Sequence, residues 1–268
     1  MEVKADTRTR LALSELVGLS FEGGPSSVAF TDSFTGEEVG ADLAEGSFTV
    51  HPSSAPCLID AAWALGGAKV SAQLDVVPHR YCSIEDIGSY RADQYLIAER
   101  CTDDEIWDAR QKAEEVIEEE CHRYLQHVAR EGWVDRPGCT YRTMITGENG
   151  PQVDLVKVLG AVTESGKPVD LAPVRPGSPY VDVTALEYGH MAKVSYVCGI
   201  RTPAEMRAAV VALAALYLAP KNEPENATST STEAGVLSFV IGGVNGATSV
   251  PEVNALIERY RVPDYKVG

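Results

Sequence analysis

The sequence has few of the features that mark membrane, secreted or nucleic-acid-binding proteins. No apolar run reaches the roughly 18–20 residues that a bilayer span needs, and the polar start, Met1–Arg10, has no apolar segment typical of a signal peptide. Positive charge is scarce: 23 lysines and arginines face 39 aspartates and glutamates, so the formal net charge is −16. We therefore expect cytoplasmic synthesis, no membrane contact and no surface that grips DNA.

Catalytic motifs are missing as well. The chain has no G-x-G-x-x-G, G-x-S-x-G or H-E-x-x-H pattern. The segment Gly160–Pro168 resembles a phosphate-binding loop, but five residues rather than four separate Gly160 from Gly166, and Pro168 stands where a hydroxyl residue would meet Mg²⁺. The sequence therefore predicts a turn between two strands at this place.

Metal and disulfide chemistry have little support in the residue spacing. Glu118 and His122 lie four residues apart and could share a metal ion, but a solvated helix face is the simpler interpretation. There is no C-x-x-C pair, so free thiols are expected at all the cysteines: Cys57, Cys82, Cys101, Cys121, Cys139 and Cys198. We expect no enzymatic activity, no cofactor and no metal.

The pattern of apolar residues predicts an α+β protein that begins with a small antiparallel β-sandwich or barrel. The Gly66-Gly67 pair predicts a tight hairpin turn, because both residues can adopt positive φ. Thr7–Leu19 fits either a short helix or an extended arm. The predicted strands are Ser27–Thr31, Ser47–Val50, Cys57–Leu65 and Lys69–Val77.

A long amphipathic helix is predicted from 103 to 130, after a single helical turn at Cys82–Ile87. Thr102 and Glu105 have the spacing of a capping box, and Gly132 is expected to stop the helix. The apolar stripe contains Ile106, Ala109, Ala113, Val116, Ile117, Cys121, Tyr124, Leu125 and Val128. The opposite, solvated face is predicted to carry Arg110, Lys112, Glu114, Glu115, Glu118 and Glu119.

The remaining chain alternates between short strands and helices. Thr202 and Pro203 predict the start of a buried helix through Met206–Leu218, and Ser249 opens a last short helix that reaches about Tyr260. Lys221–Glu233 is polar and is expected to be a flexible loop. A turn at Tyr188–His190 is expected to join the last two of the predicted strands, which are Thr140–Ile145, Val153–Leu159, Tyr180–Leu186 and Met191–Val197, with a further extended segment at Val236–Ile241.

Three segments in the order helix, strand-then-helix and final helix resemble the head-to-tail connectors of tailed bacteriophages, the HK97-type adaptor family. They are TDDEIWDARQKAEEVIE from Thr102, YGHMAKVSYVCG from Tyr188 with the helix after Thr202, and VPEVNALIERYR from Val250. The resemblance covers roughly residues 83–268. It divides the chain into an added N-terminal β domain, 1–82, and a helical connector domain, 83–268, with a short β-hairpin, the loop 221–233 and a tail, 261–268.

The resemblance implies a structural subunit of the virion neck, made in the host cytoplasm. Such subunits form a ring, commonly of twelve copies, that binds the portal, links capsid to tail and lets DNA pass without specific binding. The implied partners are further copies of the chain, the portal protein, a tail or stopper protein and, as a further candidate, the major capsid protein. Candidate lumen or interface acids are Glu114, Glu115, Glu118 and Glu119, and the candidate assembly tail is Arg261, Val262, Pro263, Asp264 and Tyr265.

An alternative function is a carbohydrate- or protein-binding β module fused to a helical assembly domain. Such a module needs an exposed aromatic platform. The aromatic residues available in the N-terminal β region are Phe21, Phe30, Phe34, Phe48 and Trp63, and packing in a core is the simpler use for most of them.

Overall fold

The computed structural model describes residues 1–92, 95–138, 140–147, 150–219, 229–232, 235–238, 248 and 250–262. The α-helices are α1 (Ile84–Gly88), α2 (Asp103–Cys121), α3 (Met206–Leu218) and α4 (Pro251–Tyr260). The strands are β1 (Glu2–Val3), β2 (Arg8–Ala12), β3 (Ser20–Phe21), β4 (Ala29–Asp32), β5 (Gly40–Ala44), β6 (Ser47–His51), β7 (Cys57–Leu65), β8 (Ala68–Val77), β9 (Arg91–Ala92), β10 (Tyr95–Leu96), β11 (Val128–Asp135), β12 (Arg142–Met144), β13 (Thr146–Gly147), β14 (Gly150–Pro151), β15 (Leu155–Thr163), β16 (Ala172–Pro173), β17 (Tyr180–Asp182), β18 (Met191–Cys198), β19 (Ser229–Thr232) and β20 (Gly235–Ser238).

These elements confirm the predicted α+β class, and they form two compact units. Unit 1 contains Met1–Arg80 and Tyr124–Arg201, and unit 2 contains Tyr81–Arg123 together with the described part of 202–268. The sequence predicted a single division at 82/83. The structure has a boundary close to that point, at 80/81, but the chain returns to unit 1 at Tyr124 because residues 124–201 form sheets that pack with the N-terminal strands.

The N-terminal part of unit 1 is built on a four-stranded sheet in the order β2-β8-β7-β4. Strands β7 and β8 form the predicted hairpin, with Leu65 opposite Ala68 and φ values of +58° and +88° at Gly66 and Gly67. The predicted strands β4, β7 and β8 pair antiparallel, as expected, and β2, which lies outside the predicted strands, adds a parallel edge beside β8. Thr7–Leu19 therefore supplies an extended strand, followed by a 3₁₀ turn at Leu13–Glu15.

Four aromatic rings form the core beneath this sheet. Phe21 contacts Phe30, Phe48 and Trp63 in edge-to-face geometry, with ring centroids 5.1–5.7 Å apart. All four side chains are buried, and the Trp63 indole donates a hydrogen bond to the carbonyl of Glu22. Such pairs stabilise a fold beyond their buried area. The rings are therefore packing residues and form no exposed platform of the kind that the alternative function needs.

The second part of unit 1 is a five-stranded antiparallel sheet in the order β14-β13-β11-β18-β15, next to the three-stranded sheet β12-β17-β16. The predicted hairpin at Tyr188–His190 is wrong in its pairing. Gly189 does turn the chain with φ +73°, but β17 pairs with β12 and β16, whereas both edges of β18 are occupied by β11 and β15. Residues 124–201, which the sequence placed in the helical connector domain, therefore form the five-stranded and three-stranded sheets of unit 1.

Helix α2 begins as predicted and ends earlier than predicted. Thr102 Oγ1 accepts from the Glu105 amide at 3.3 Å, and Glu105 Oε2 accepts from the Thr102 amide at 2.8 Å. The predicted end at 130 is wrong: the helix stops at Cys121, and His122 adopts the left-handed conformation that terminates a helix (φ 52°, ψ 32°). Gly132, the predicted stop, lies within strand β11.

Unit 2 otherwise follows the predicted helices. α1 has the capping box of Ser83 and Asp86. α3 spans the predicted Met206–Leu218 but begins after Glu205 rather than after Thr202. Residues 229–232 of the predicted loop 221–233 form strand β19, which pairs with β20, and residues 220–228, 233 and 234 lie outside the described residues.

Replacing Thr102 with alanine should lower the free energy of unfolding by about 1 kcal/mol, because the Glu105 amide loses its side-chain acceptor at the start of α2. Urea unfolding followed by circular dichroism measures this change. Thr184→Ala is the matched control, since Thr184 is exposed and caps no helix. Equal stability of the Thr102 variant and the native protein would contradict a capping role.

Candidate functional site

The three longer helices of unit 2 pack against one another. α2 contacts both α3 and α4, and α3 contacts α4. α3 buries Met206, Val210 and Leu213, and α4 buries Val253 and Ile257. Because α3 is apolar on most sides, it can fill the centre of this group, as the sequence predicted.

The chain just after α4 is fastened to the C-terminal end of α2. The Arg261 guanidinium contacts the Glu120 carboxylate at 2.5 Å and donates through Nε to the Glu120 carbonyl at 2.8 Å. The Val262 amide donates to the Cys121 carbonyl at 2.9 Å. A cation at this end of α2 also suits the negative end of the helix dipole. The direction in which the chain leaves α4 is therefore fixed up to Val262.

The last turn of α4 has a second attachment, to Glu205 just before α3. The Glu205 carboxylate accepts from Arg259 at 2.9 Å and from the Tyr260 hydroxyl at 3.0 Å. Hydrogen bonds from its own backbone amide and from Tyr260 hold the pKa of Glu205 below its usual range. Desolvation and the bond to Glu205 raise the pKa of Tyr260. The aromatic-basic end of α4 is thus held to both neighbouring helices.

The predicted assembly tail divides at Val262. Arg261 is exposed and Val262 is buried, and both contact the body of unit 2. Pro263, Asp264 and Tyr265 lie outside the described residues. Arg261 and Val262 therefore act first as an anchor for the segment that follows them.

The four predicted lumen or interface acids lie on different sides of α2. Glu115 and Glu119 are exposed and one helical turn apart, whereas Glu114 is fully buried and Glu118 is 6% exposed. Glu118 accepts a short hydrogen bond from the Tyr81 hydroxyl. Of these four acids, only Glu115 and Glu119 can present a carboxylate to a lumen or to a partner.

The predicted solvated face of α2 is wrong for Arg110, Glu114 and Glu118, which form a buried row at steps of four residues. The Arg110 guanidinium donates to the Cys82 carbonyl at 3.1 Å. The residue spacing alone could not reveal this, because a charged row looks the same on a solvated face and on a face that a neighbouring segment covers.

Sequence reasoning missed a buried ion cluster in unit 1. Asp75 is 1% exposed and contacts Arg130 at 2.7 and 2.9 Å and Arg10 at 3.1 Å. Burial by itself raises the pKa of Asp75, but the charges and hydrogen bonds of Arg130 and Arg10 hold that pKa well below its usual range. The carboxylate also raises the pKa of Arg130 against the opposing effect of burial. A charged residue inside the apolar run Leu74–Val77 was the available signal.

The described residues contain no group of three or more His, Cys, Asp or Glu side chains placed to hold a metal ion. Gly160–Pro168 contains the end of β15 and a turn at Gly166, where Thr163 bonds to Lys167, as predicted. Burial raises the pKa of the Cys57 thiol to about 12 and that of Cys121 to about 11. Five cysteines are free thiols and Cys139 lies outside the described residues. No helix in the described ranges is both long and apolar enough to cross a bilayer.

Comparison with known proteins gives only distant structural likenesses. No family model and no curated protein matches the chain. A chain of the structure described as "Virion of native gene transfer agent (GTA) particle" is 16% identical with a TM-score of 0.47, covering 70% of this chain and 93% of that one. A chain of "Neck of empty GTA particle computed with C6 symmetry" has the same identity and coverage and a TM-score of 0.44. Neither likeness is close enough to assign a function.

Proposed function

We propose that this chain is a structural subunit of a tailed-phage neck. It forms a ring, commonly of twelve copies, that binds the portal, links capsid to tail and lets the genome pass. The observation that carries the proposal is the anchored segment after α4, because it follows the helices α2, α3 and α4, whose order along the chain resembles that of the connector family. The likeness to the gene transfer agent structures is too distant to add to this support.

A ring of identical subunits needs two different complementary faces on each copy, because its interface is heterologous. Segments that order against a neighbour are one way to build such a face. The segment that starts at Arg261 is our candidate, with Pro263, Asp264 and Tyr265 beyond the anchor. Its partners are a neighbouring copy, the portal protein, and a tail or stopper protein, with the major capsid protein as a further candidate.

The exposed acids of α2 fit a surface past which DNA slides. Glu115 and Glu119 are two of the acidic residues that give the chain its net charge of −16. Phosphate contacts dominate the affinity of proteins for DNA, so an acidic lumen binds the passing genome weakly. We propose this role for Glu115 and Glu119 only. Glu114 and Glu118 are excluded from it because the carboxylates of these two residues are buried inside unit 2.

Deleting residues 263–268 should abolish neck assembly while the fold is retained. The anchor contacts of Arg261 and Val262 stay in place in this variant. The free energy of unfolding of the purified protein, measured by thermal unfolding, should therefore change by less than about 0.5 kcal/mol. Assembly is measured by mixing the purified chain with the portal protein of the same genome and counting rings and portal-bound complexes by electron microscopy.

The matched control is Arg261→Gln in the full-length chain. This change removes an exposed ion pair, which contributes little to stability, and keeps the following segment. Weaker assembly with Arg261→Gln and none with the deletion would support an anchored assembly segment. Normal assembly by a folded deletion variant would contradict it, and a stable dimer containing a bound metal would contradict the neck proposal as a whole.

A further inference from the structure

The hairpin of β5 and β6 has one strand edge that is paired and one that is open. On the paired side, the amides of Leu19 and Phe48 each donate to the carbonyl of the other residue, at 2.9 and 2.7 Å. The Val50 amide donates to the Leu16 carbonyl at 3.0 Å, so β6 is held to the body of unit 1. β5 lies on the other side of β6, and β6 is its only partner among the described strands. All five residues of β5 are exposed.

The pairing of the hairpin shows which backbone groups of β5 point outward. In an antiparallel pair, opposite residues alternate between exchanging both hydrogen bonds and exchanging none. Leu43 lies opposite Phe48, whose amide and carbonyl both bond to Leu19 on the other side of β6. Ala41 lies opposite Val50, whose amide also bonds on that side. Ala41 and Leu43 therefore turn their N–H and C=O groups away from β6, and no backbone group of the described residues bonds to them.

The outer edge of β5 has little of the protection that usually prevents another strand from pairing. Natural edges are guarded by lysines, prolines, bulges or charged side chains that point inward. β5 has the sequence GADLA and keeps an unbroken register with β6. Its one charged residue, Asp42, pairs with His51 of β6 at 2.9 Å. The turn at Glu45 and Gly46, both with positive φ, fixes the hairpin, so the edge is in position before a partner arrives.

The side chains of the hairpin favour apolar residues at alternate positions of an added strand. Ala41 and Leu43 share one face of the hairpin with Phe48 and Val50, which are buried. Leu43 is 50% exposed and extends this apolar face to the open edge. A residue placed beside Leu43 in an added strand would have its Cβ about 5 Å away and would cover the leucine.

The charge around β5 favours basic residues in that strand. No lysine or arginine occurs between Arg10 and Lys69, whereas aspartates and glutamates are spread through this stretch. The acids nearest to β5 along the chain are all exposed: Glu37, Glu38, Asp42 and Glu45. Nucleic acid and acidic peptides are repelled by such a surface. A second copy that paired symmetrically through β5 would bring the same acids together, so a basic strand from another protein is the complementary partner.

We propose that β5 accepts an extended basic segment of a partner protein as an added strand, paired through the backbone of Ala41 and Leu43. In this mode of recognition, main-chain hydrogen bonds give affinity and the side chains at alternate positions give specificity. Here Leu43 selects apolar residues on one face, and the surrounding acids select lysine or arginine. The inference does not depend on the neck proposal, since β5 belongs to unit 1 and the anchored segment to unit 2.

The test is a titration of the ¹⁵N-labelled full-length protein with the peptide acetyl-KVKVKVK-amide, followed by NMR. The amide signals of Ala41 and Leu43 should shift, and their hydrogens should exchange more slowly with solvent, because both amides become hydrogen-bonded. The acidic peptide acetyl-EVEVEVE-amide should leave these signals in place. Two further basic peptides carry N-methyl groups on the valines or on the lysines. Only alternate residues of an added strand turn their N–H toward the edge, so one of these two should lose binding and the other keep it.

Variants of the protein test the same edge from the other side. Ala41→Pro should weaken binding about tenfold, because it removes an outward donor and places a ring at the edge. The Ala41 amide makes no bond to β6, so urea unfolding should show that this variant is folded. Glu38→Gln and Glu45→Gln should each weaken binding about threefold. The matched control is Glu164→Gln, which makes the same change in net charge at an exposed turn after β15 and should bind as the native protein does.

The outcomes separate the edge from its occupant. Equal behaviour of the two N-methylated peptides, or native binding by a folded Ala41→Pro variant, would overturn the strand addition. Equal shifts with the basic and the acidic peptide, or equal losses in all three glutamine variants, would overturn the choice of a basic partner. A native dimer seen by sedimentation, lost in Ala41→Pro and unable to bind the basic peptide, would assign the edge to a second copy instead.

Discussion

Replacing Asp75 with asparagine should lower the free energy of unfolding by about 3–5 kcal/mol, the usual cost of removing one partner from a buried ion pair. Asparagine fills the same space, so the change removes the charge that Arg10 and Arg130 both contact. Two guanidiniums then stay buried without that carboxylate. Chemical unfolding with urea measures the loss, and the melting temperature should fall by at least about 6 °C.

The buried cluster of Asp75, Arg10 and Arg130 also predicts how the stability of the protein depends on pH. Because the folded state holds the pKa of Asp75 below its unfolded value, the stabilisation is fully present above the unfolded pKa, near 4. It is lost as the pH falls from there toward the lower, folded-state pKa. The native protein should therefore lose stability in acid more steeply than Asp75→Asn, and the difference between them should narrow below about pH 4.

Asp42→Asn is the control for the Asp75 variant. Asp42 pairs with His51 on the surface, and its side chain is 82% exposed, so the substitution should change stability by less than about 0.5 kcal/mol. An Asp75 variant as stable as this control would show that the cluster does not hold unit 1 together.

Replacing Gly199 with alanine should destabilise the protein by about 3–5 kcal/mol or prevent folding. Gly199 has φ +107°, a conformation that alanine strongly disfavours, and its added Cβ would lie 1.9 Å from the carbonyl oxygen of Gln126. The backbone cannot easily relax, because the Gly199 amide donates to Asp154 and the next amide donates to Tyr124. Soluble yield and urea unfolding measure the effect.

Gly160→Ala provides the comparison, at a glycine in strand β15, which pairs with β18. Gly160 has no atom within 4 Å of an added Cβ and no positive φ, so alanine should change stability by no more than about 1 kcal/mol. A Gly199 variant that unfolds like the Gly160 variant would contradict the close approach at Gln126.

Local patterns predicted many of the elements because their causes are local. The hairpin of β7 and β8 follows from two glycines between apolar runs, and Thr102 with Glu105 fixes the start of α2. The apolar segment Met206–Leu218 and the proline at the start of α4 likewise correspond to helices. Each of these depends on residues within a few positions of one another, where spacing alone carries the information.

The end of α2 shows where such patterns fail. Tyr124, Leu125 and Val128 continue the helical spacing past Cys121, yet the chain turns at His122 and enters β11. Periodicity cannot separate these outcomes, because the strand is buried on both faces near its start and its partners, β13 and β18, lie further along the sequence. Tertiary pairing decided that Gly132 lies in a strand rather than at a helix end.

The sequence by itself determined the α+β class, the acidic charge and the resemblance that led to the neck proposal. Only the tertiary structure decided which charged groups are buried. Asp75 meets Arg10 and Arg130 because strands distant in sequence are brought together in unit 1, and α2 turns Glu114 inward while Glu115 stays exposed. A buried charge is tolerated only where opposite charges or hydrogen-bond donors surround it, and that surrounding exists only in the folded chain.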